Sequence, residues 1–138
     1  MENEIWKPIE QITLKNGTVC NFEGYEVSNF GRVRTYKRKY GKVAKGTHNR
    51  PLDPKPYIIN GRPDQKGYTQ YCLSDINKRR RNFRGHILVM QTFVGLPGDD
   101  EEICHYDDVK HNNHIDNLRY DTRKANLADA KRNGCYKK

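Results

Sequence analysis

Residues 103–130 read ICHYDDVKHNNHIDNLRYDTRKANLADA, and their order of polar and apolar positions decides the fold. Glu102 to Tyr106 reads as a short strand, and a polar turn follows it through Asn117. Leu118-Arg119-Tyr120 reads as a second strand, with a helix from about Arg123. Asp121 or Thr122 can cap that helix, because either side chain accepts a bond from a free first-turn amide. The spacing thus predicts strand, turn, strand and helix. His105 falls on the first strand, Asn117 in the turn and Asn126 on the helix. Arg123 and Lys124 oppose the helix dipole at that end, but suit a neighbouring phosphate.

Working outward, residues 85–94 carry Ile87, Leu88, Met90, Gln91 and Phe93 at helical spacing, and Gly95-Leu96-Pro97-Gly98 stops the run. Gly67 to Leu73 alternates as a strand, and Asp75-Ile76-Asn77-Lys78 turns it into a basic partner, Arg79 to Arg84. Residues 4–34 read as short β segments. Tyr25 to Ser28 and Arg32 to Tyr36 flank the turn Asn29-Phe30-Gly31. The stretch 37–61, rich in Lys, Gly and Pro, reads as a long loop. The expectation is an α+β protein: a small antiparallel N-terminal sheet over residues 1–84, then a ββα module over residues 85–138.

The chain has 138 residues with 34% apolar content, and its mean hydropathy of −1.07 allows only a modest core. Nine Tyr, four Phe and one Trp nevertheless argue for a packed chain, because rings need surfaces to rest on. Lys and Arg total 26 against 17 acids, a net charge of +9. The basic residues are clustered. Arg32, Arg34, Lys37, Arg38 and Lys39 lie in an acid-free stretch, and Arg79, Arg80, Arg81 and Arg84 form a second run. Two such clusters favour a polyphosphate partner over a uniformly basic surface, since each neutralised phosphate releases condensed counterions. Neither run lies on an apolar-faced helix, which disfavours a membrane surface.

Cys20, Cys72, Cys104 and Cys135 form no closely spaced pair, which argues against structural zinc and for reduced thiols. The start, MENEIWKPIE, is too polar for a secretory signal, and no apolar run reaches transmembrane length. The expected setting is the cytoplasm, in a bacterial host.

Two resemblances extend this reading. His86-Ile87-Leu88-Val89-Met90-Gln91-Thr92-Phe93, then His105, Asn112-Asn113, Asn117-Leu118-Arg119-Tyr120 and Thr122 to Asn126, resemble the HNH endonucleases of the phage and intron homing type. Trp6-Lys7-Pro8-Ile9 and Gly24 to Arg34 resemble the nuclease-associated DNA-binding module often fused to such enzymes. Together they cover most of the chain outside 37–61.

The resemblance implies a ββα-metal nuclease that nicks or cuts double-stranded DNA, acting as a monomer or weak homodimer. His105 is the implied general base, since imidazole titrates near neutrality. Asn117 is the implied structural residue of the hairpin. Asn126 stands where relatives place a metal ligand, and Asp129, three residues on, could add a carboxylate. One divalent metal is implied, Mg²⁺ first, with Mn²⁺ or Zn²⁺ as alternatives. The departure is Cys104, where many relatives carry a metal-binding Asp. A soft thiol suits Mg²⁺ poorly. Asp107, Asp108 or Asp129 could supply the oxygen, the metal could be softer, or the site could be weakened. His86 could pack under the site or touch phosphate, while His111 and His114 read as exposed turn residues. DNA contact is expected from the two basic clusters together with Arg119 and Arg123. A DNA-binding regulator on a disabled nuclease fold is the principal rival, and a structural RNA-binding protein the weaker one.

Overall fold

The computed structural model describes residues 3–37 and 55–123. Arg38, Lys39, Asn126 and Asp129 therefore lie outside the described residues. Eleven short strands and one helix are described: β1 (Trp6–Pro8), β2 (Gln11–Thr13), β3 (Val19–Asn21), β4 (Tyr25–Ser28), β5 (Val33–Thr35), β6 (Tyr57–Ile59), β7 (Arg62–Pro63), β8 (Thr69–Ser74), β9 (Arg80–Arg84), α1 (Gly85–Phe93), β10 (Glu101–His105) and β11 (Leu118–Thr122). A 3-10 turn, Ile115–Asn117, precedes β11. The architecture is α+β.

Where one N-terminal sheet was expected, the described strands before α1 form three antiparallel groups: β1-β4-β5-β6, the hairpin β2-β3, and β7-β8-β9. Strand β6 lies inside the stretch read as a loop. Tyr57, Ile58 and Ile59 are aromatic or β-branched, and they pair with Thr35, Arg34 and Val33, which covers the open edge of β5. Composition hid this, because Lys, Gly and Pro dominate the stretch around three good strand residues.

Alternation along β4 and β5 places Val27 against Val33, both fully buried. They join Ile9, Ile12, Leu73, Leu88 and Val89 in one apolar cluster that spans the β elements and the helix. The inner face of α1 carries Leu88, Val89 and Met90. Gln91 ties the helix to β2: its Oε1 accepts from the Thr13 amide at 2.9 Å, and its Nε2 donates to the Thr13 carbonyl at 2.9 Å. The helix stops at Gly95, whose amide bonds the Met90 carbonyl at φ +122°, a conformation glycine tolerates.

Strands β10 and β11 pair from Glu101↔Thr122 to His105↔Leu118, so the second strand runs two residues beyond the three expected. Asp121 and Thr122 end that strand, and Arg123 follows in helical conformation. No helix among the described residues is long and apolar enough to cross a membrane.

Candidate active site

His105 ends β10 and is 6% exposed. Its register partner Leu118 opens β11, so residues 106–117 must turn the chain back within a short span. Asn117 organises that turn. Its Oδ1 accepts from the Asp107 amide at 3.2 Å, and its Nδ2 donates to Asp107 Oδ1 and to the Asn112 carbonyl, both at 2.9 Å. Its own carbonyl accepts from the Tyr106 amide at 2.9 Å. An amide side chain suits this place because it donates and accepts at once, which neither a carboxylate nor a hydrocarbon does. Burial pushes the Asp107 carboxyl up, but bonds from Asn112, the Val109 amide and Asn117 outweigh it and hold the group below the usual range.

The imidazole of His105 sits among polar and aromatic groups from three other segments. Its Nε2 lies 3.1 Å from Asn113 Oδ1. The ring of His86, in the first turn of α1, stands edge-on to it at 5.3 Å, and Tyr68 lies 6.2 Å away. Burial lowers the pKa of His105, an effect the Asn113 bond and the carboxylates of Asp107 and Asp108 oppose. The balance favours the neutral imidazole.

Tyr68 carries cations on its ring. Arg84 lies 4.2 Å and Lys110 5.1 Å from the ring centroid. Lys110 also donates to the Lys66 carbonyl at 2.8 Å, and Arg84 pairs with Asp64 at 2.8 Å. Arg84, Asp64 and Lys66 line an open cleft of about 420 Å³ together with Pro63, Gln65 and Gln70. The arrangement brings an imidazole close to cationic side chains, groups that can serve as a base and as charge stabilisers toward a phosphate ester.

Cys104 is 1% exposed, and its Sγ–H donates to the Glu102 carbonyl at 3.7 Å. Burial pushes the thiol up to about 11, so at neutral pH it is an S–H, whereas the metal-binding form is the thiolate. Asp107 is spent on Asn112 and Asn117. Among the described residues no group of three or more His, Cys, Asp or Glu side chains could hold a metal ion. The described residues alone do not fit a hard cation.

The basic residues divide sharply. Arg32 pairs with Glu4, and Arg34 pairs with Glu26 at 2.7 Å while stacking 4.2 Å over Trp6. Lys37 donates to the Ser74 carbonyl at 3.0 Å and lies over Tyr25, and burial lowers its pKa. Arg119 pairs with Asp121 at 3.1 Å and lies over Tyr106. Arg79, Arg80 and Arg123 are exposed, and Arg81 is half-buried. The sequence reading gave no role to Tyr68, Lys110 or Asn113. Only Asn113 carried a signal, as half of the Asn-Asn pair; Tyr68 reaches His105 through long-range folding, and Lys110 meets the Tyr68 ring.

Comparison with known proteins agrees with both motifs. Residues 4–74 match the NUMOD4 motif and residues 83–128 match an HNH endonuclease family. An uncharacterized HNH endonuclease of Acanthamoeba polyphaga mimivirus is 32% identical over 120 residues, covering 86% of this chain and 30% of that protein. A solved structure described as DNA binding and cleavage by the HNH homing endonuclease I-HmuI matches with a TM-score of 0.65 at 25% identity, over 97% of this chain and 62% of that one. The chain thus spans under a third of its curated relative.

Proposed function

The chain belongs to the HNH endonuclease family and carries a NUMOD4 motif, and on that premise we propose that it hydrolyses phosphodiester bonds of double-stranded DNA as a homing-type nuclease. The observation that supports this most is His105: a buried imidazole with one nitrogen engaged, on a hairpin latched by Asn117, beside the Tyr68, Arg84 and Lys110 cluster. His105 takes the proton of the attacking water. Lys110 supplies positive charge toward the phosphate backbone, and exposed Arg79, Arg80 and Arg123 add sequence-independent affinity, while Arg84 is committed to Asp64 and Tyr68. Such contacts fix position rather than read sequence.

The family generally uses a divalent metal. In our reading the ion is Mg²⁺, with Mn²⁺ or Zn²⁺ as alternatives, and Asn126 and Asp129 are its oxygen donors. A bound hard cation would stabilise charge developing on the phosphate. Cys104, as a protonated buried thiol, is packed inside the protein rather than offered to the ion. A single ββα site attacks one strand, so the expected product is a nick carrying 5′-phosphate and 3′-hydroxyl ends.

Relaxation of supercoiled plasmid with Mg²⁺ or Mn²⁺ tests the proposal. Wild type should nick, and His105→Ala should lose about 10²- to 10⁴-fold in rate while still binding DNA. The protonated Cys104 favours one second reading, a DNA-binding regulator. Binding without relaxation under either metal would establish that reading instead.

A further inference from the structure

We propose that Asn113 is a positioning residue that sets the tautomer of His105, and that the N-terminal turn Asn29–Gly31 holds Asn113 in place, so that both sequence motifs build one active centre. The inference rests on the nuclease reading for its consequence in catalysis, but its geometry stands alone.

A side-chain carbonyl oxygen has no hydrogen to give. The 3.1 Å contact from Asn113 Oδ1 to His105 Nε2 is therefore a hydrogen bond only when Nε2 carries the proton. A neutral imidazole has one N–H, so Nδ1 keeps its lone pair and is the nitrogen able to accept a proton. Asn113 is thus to His105 what any fixed acceptor is to a general base: it selects which nitrogen reacts.

The placement of Asn113 is tightly determined. It is 5% exposed. A Cβ on Gly31 would stand 2.8 Å from both the Cβ and the carbonyl oxygen of Asn113, and one on Gly85 would stand 2.6 Å from its Nδ2. Only glycine at both positions leaves the room that Asn113 fills. Gly31 is itself anchored, with φ +86°, its amide on the Ser28 carbonyl at 2.9 Å and its carbonyl accepting from Tyr71 Oη at 3.2 Å. The next two residues of the loop continue the contact in order. His114 stacks on Phe30 at 5.2 Å, and the Ile115 amide donates to the Asn29 carbonyl at 2.9 Å. Residues 113, 114 and 115 thereby meet residues 31, 30 and 29 one by one. The N-terminal turn works as a clamp on the catalytic hairpin, in addition to any contact its module makes with DNA.

The test uses ¹⁵N-histidine-labelled full-length protein, without metal or DNA, at a pH where imidazoles are neutral. The His105 signals are assigned by their loss in His105→Ala. The expected wild-type spectrum shows the proton on Nε2, and Asn113→Ala should show a mixture of tautomers. In plasmid nicking, Asn113→Ala should lose about 10- to 100-fold in kcat with KM for DNA unchanged, less than the loss of the base itself. Asn113→Asp, which also accepts from Nε2–H, should restore the Nε2 tautomer and most of kcat. Gly31→Ala should reproduce the Asn113→Ala spectrum although it alters no residue of the hairpin. A wild-type His105 protonated on Nδ1 overturns the proposal without any variant needing to fold, and so does wild-type kcat in Asn113→Ala. A wild type that cleaves no DNA removes the nuclease reading, while the tautomer still decides the role of Asn113.

Discussion

The imidazole of His86 lies edge-on to that of His105, with ring centroids 5.3 Å and ring planes 82° apart, and its Nδ1 finds no hydrogen-bond partner among the described residues. Burial, reinforced by His105 and Arg84, lowers the pKa of His86 to about 3. His86 is therefore an uncharged ring packed between Tyr68 and His105, and it must stay uncharged to remain there.

That relationship fixes a pH dependence of stability. The folded pKa lies below the ordinary value of 6.5, so the unfolded chain binds the proton first. The contribution is complete above about pH 6.5 and is lost as pH falls toward 3, at up to about 1.4 kcal/mol per pH unit. Urea unfolding at about pH 7.5 and about pH 5 should show a larger acid loss for wild type than for His86→Leu. Equal losses would falsify the assignment of His86 as a buried neutral group.

Asn117 makes its three side-chain bonds to Asp107 and Asn112 alone, so its removal should loosen the hairpin and leave the core intact. Asn117→Ala should cost about 0.5–1.5 kcal/mol, since exposed Asp107 regains water and only the bond to the Asn112 carbonyl is half-buried. Asn117→Asp should be worse at neutral pH, because it sets a second carboxylate against Asp107, and should recover on acidification as one of the pair takes a proton. Thermal melts across pH check this. An Asp variant as stable as wild type at neutral pH would remove the latch.

Salt titration separates the working cations from the structural ones. If about six phosphates are neutralised, log affinity for duplex DNA should fall with log salt at a slope near −5. The double substitution Arg79→Ala with Arg80→Ala should make that slope shallower by about 2. Arg34→Ala should leave the slope nearly unchanged and lower stability instead, because Arg34 is committed to Glu26 and Trp6. An Arg34 variant that changes the slope as much as the double variant contradicts the division.

Thiol labelling reports on Cys104. Cys72 is exposed, while Cys20 and Cys104 are buried. In the native protein a disulfide reagent should modify Cys72 quickly and Cys20 and Cys104 only at the rate of unfolding. Cobalt(II) titration should give no thiolate charge-transfer band. A band that vanishes in Cys104→Ser would make Cys104 a ligand, with the cation displacing its proton.

The local chemistry of this protein was legible in its sequence. Periodicity and turn residues gave α1, the strand pairs β4-β5, β8-β9 and β10-β11, and the place of His105 and Asn117 on one hairpin, because those features depend on neighbours a few residues away. Clustered Arg and Lys were equally visible, but their availability was not. Whether an arginine meets a phosphate depends on acids such as Glu4 and Glu26 delivered by another strand. Strand β6 was hidden because pairing with β5 rescues three residues that composition assigned to a loop. The surroundings of His105 were legible only in part: His86 was expected either to pack under the site or to touch phosphate, and Tyr68 was not foreseen. Tyr68 and His86 reach His105 from separate segments, Asn113 from its own turn, and Gly31, 74 positions away from His105 in the chain, supports Asn113. Sequence records what each residue can donate, accept or bury; only folding, by bringing distant segments within a few ångströms, decides which of those capacities are spent inside the molecule and which are left for a ligand.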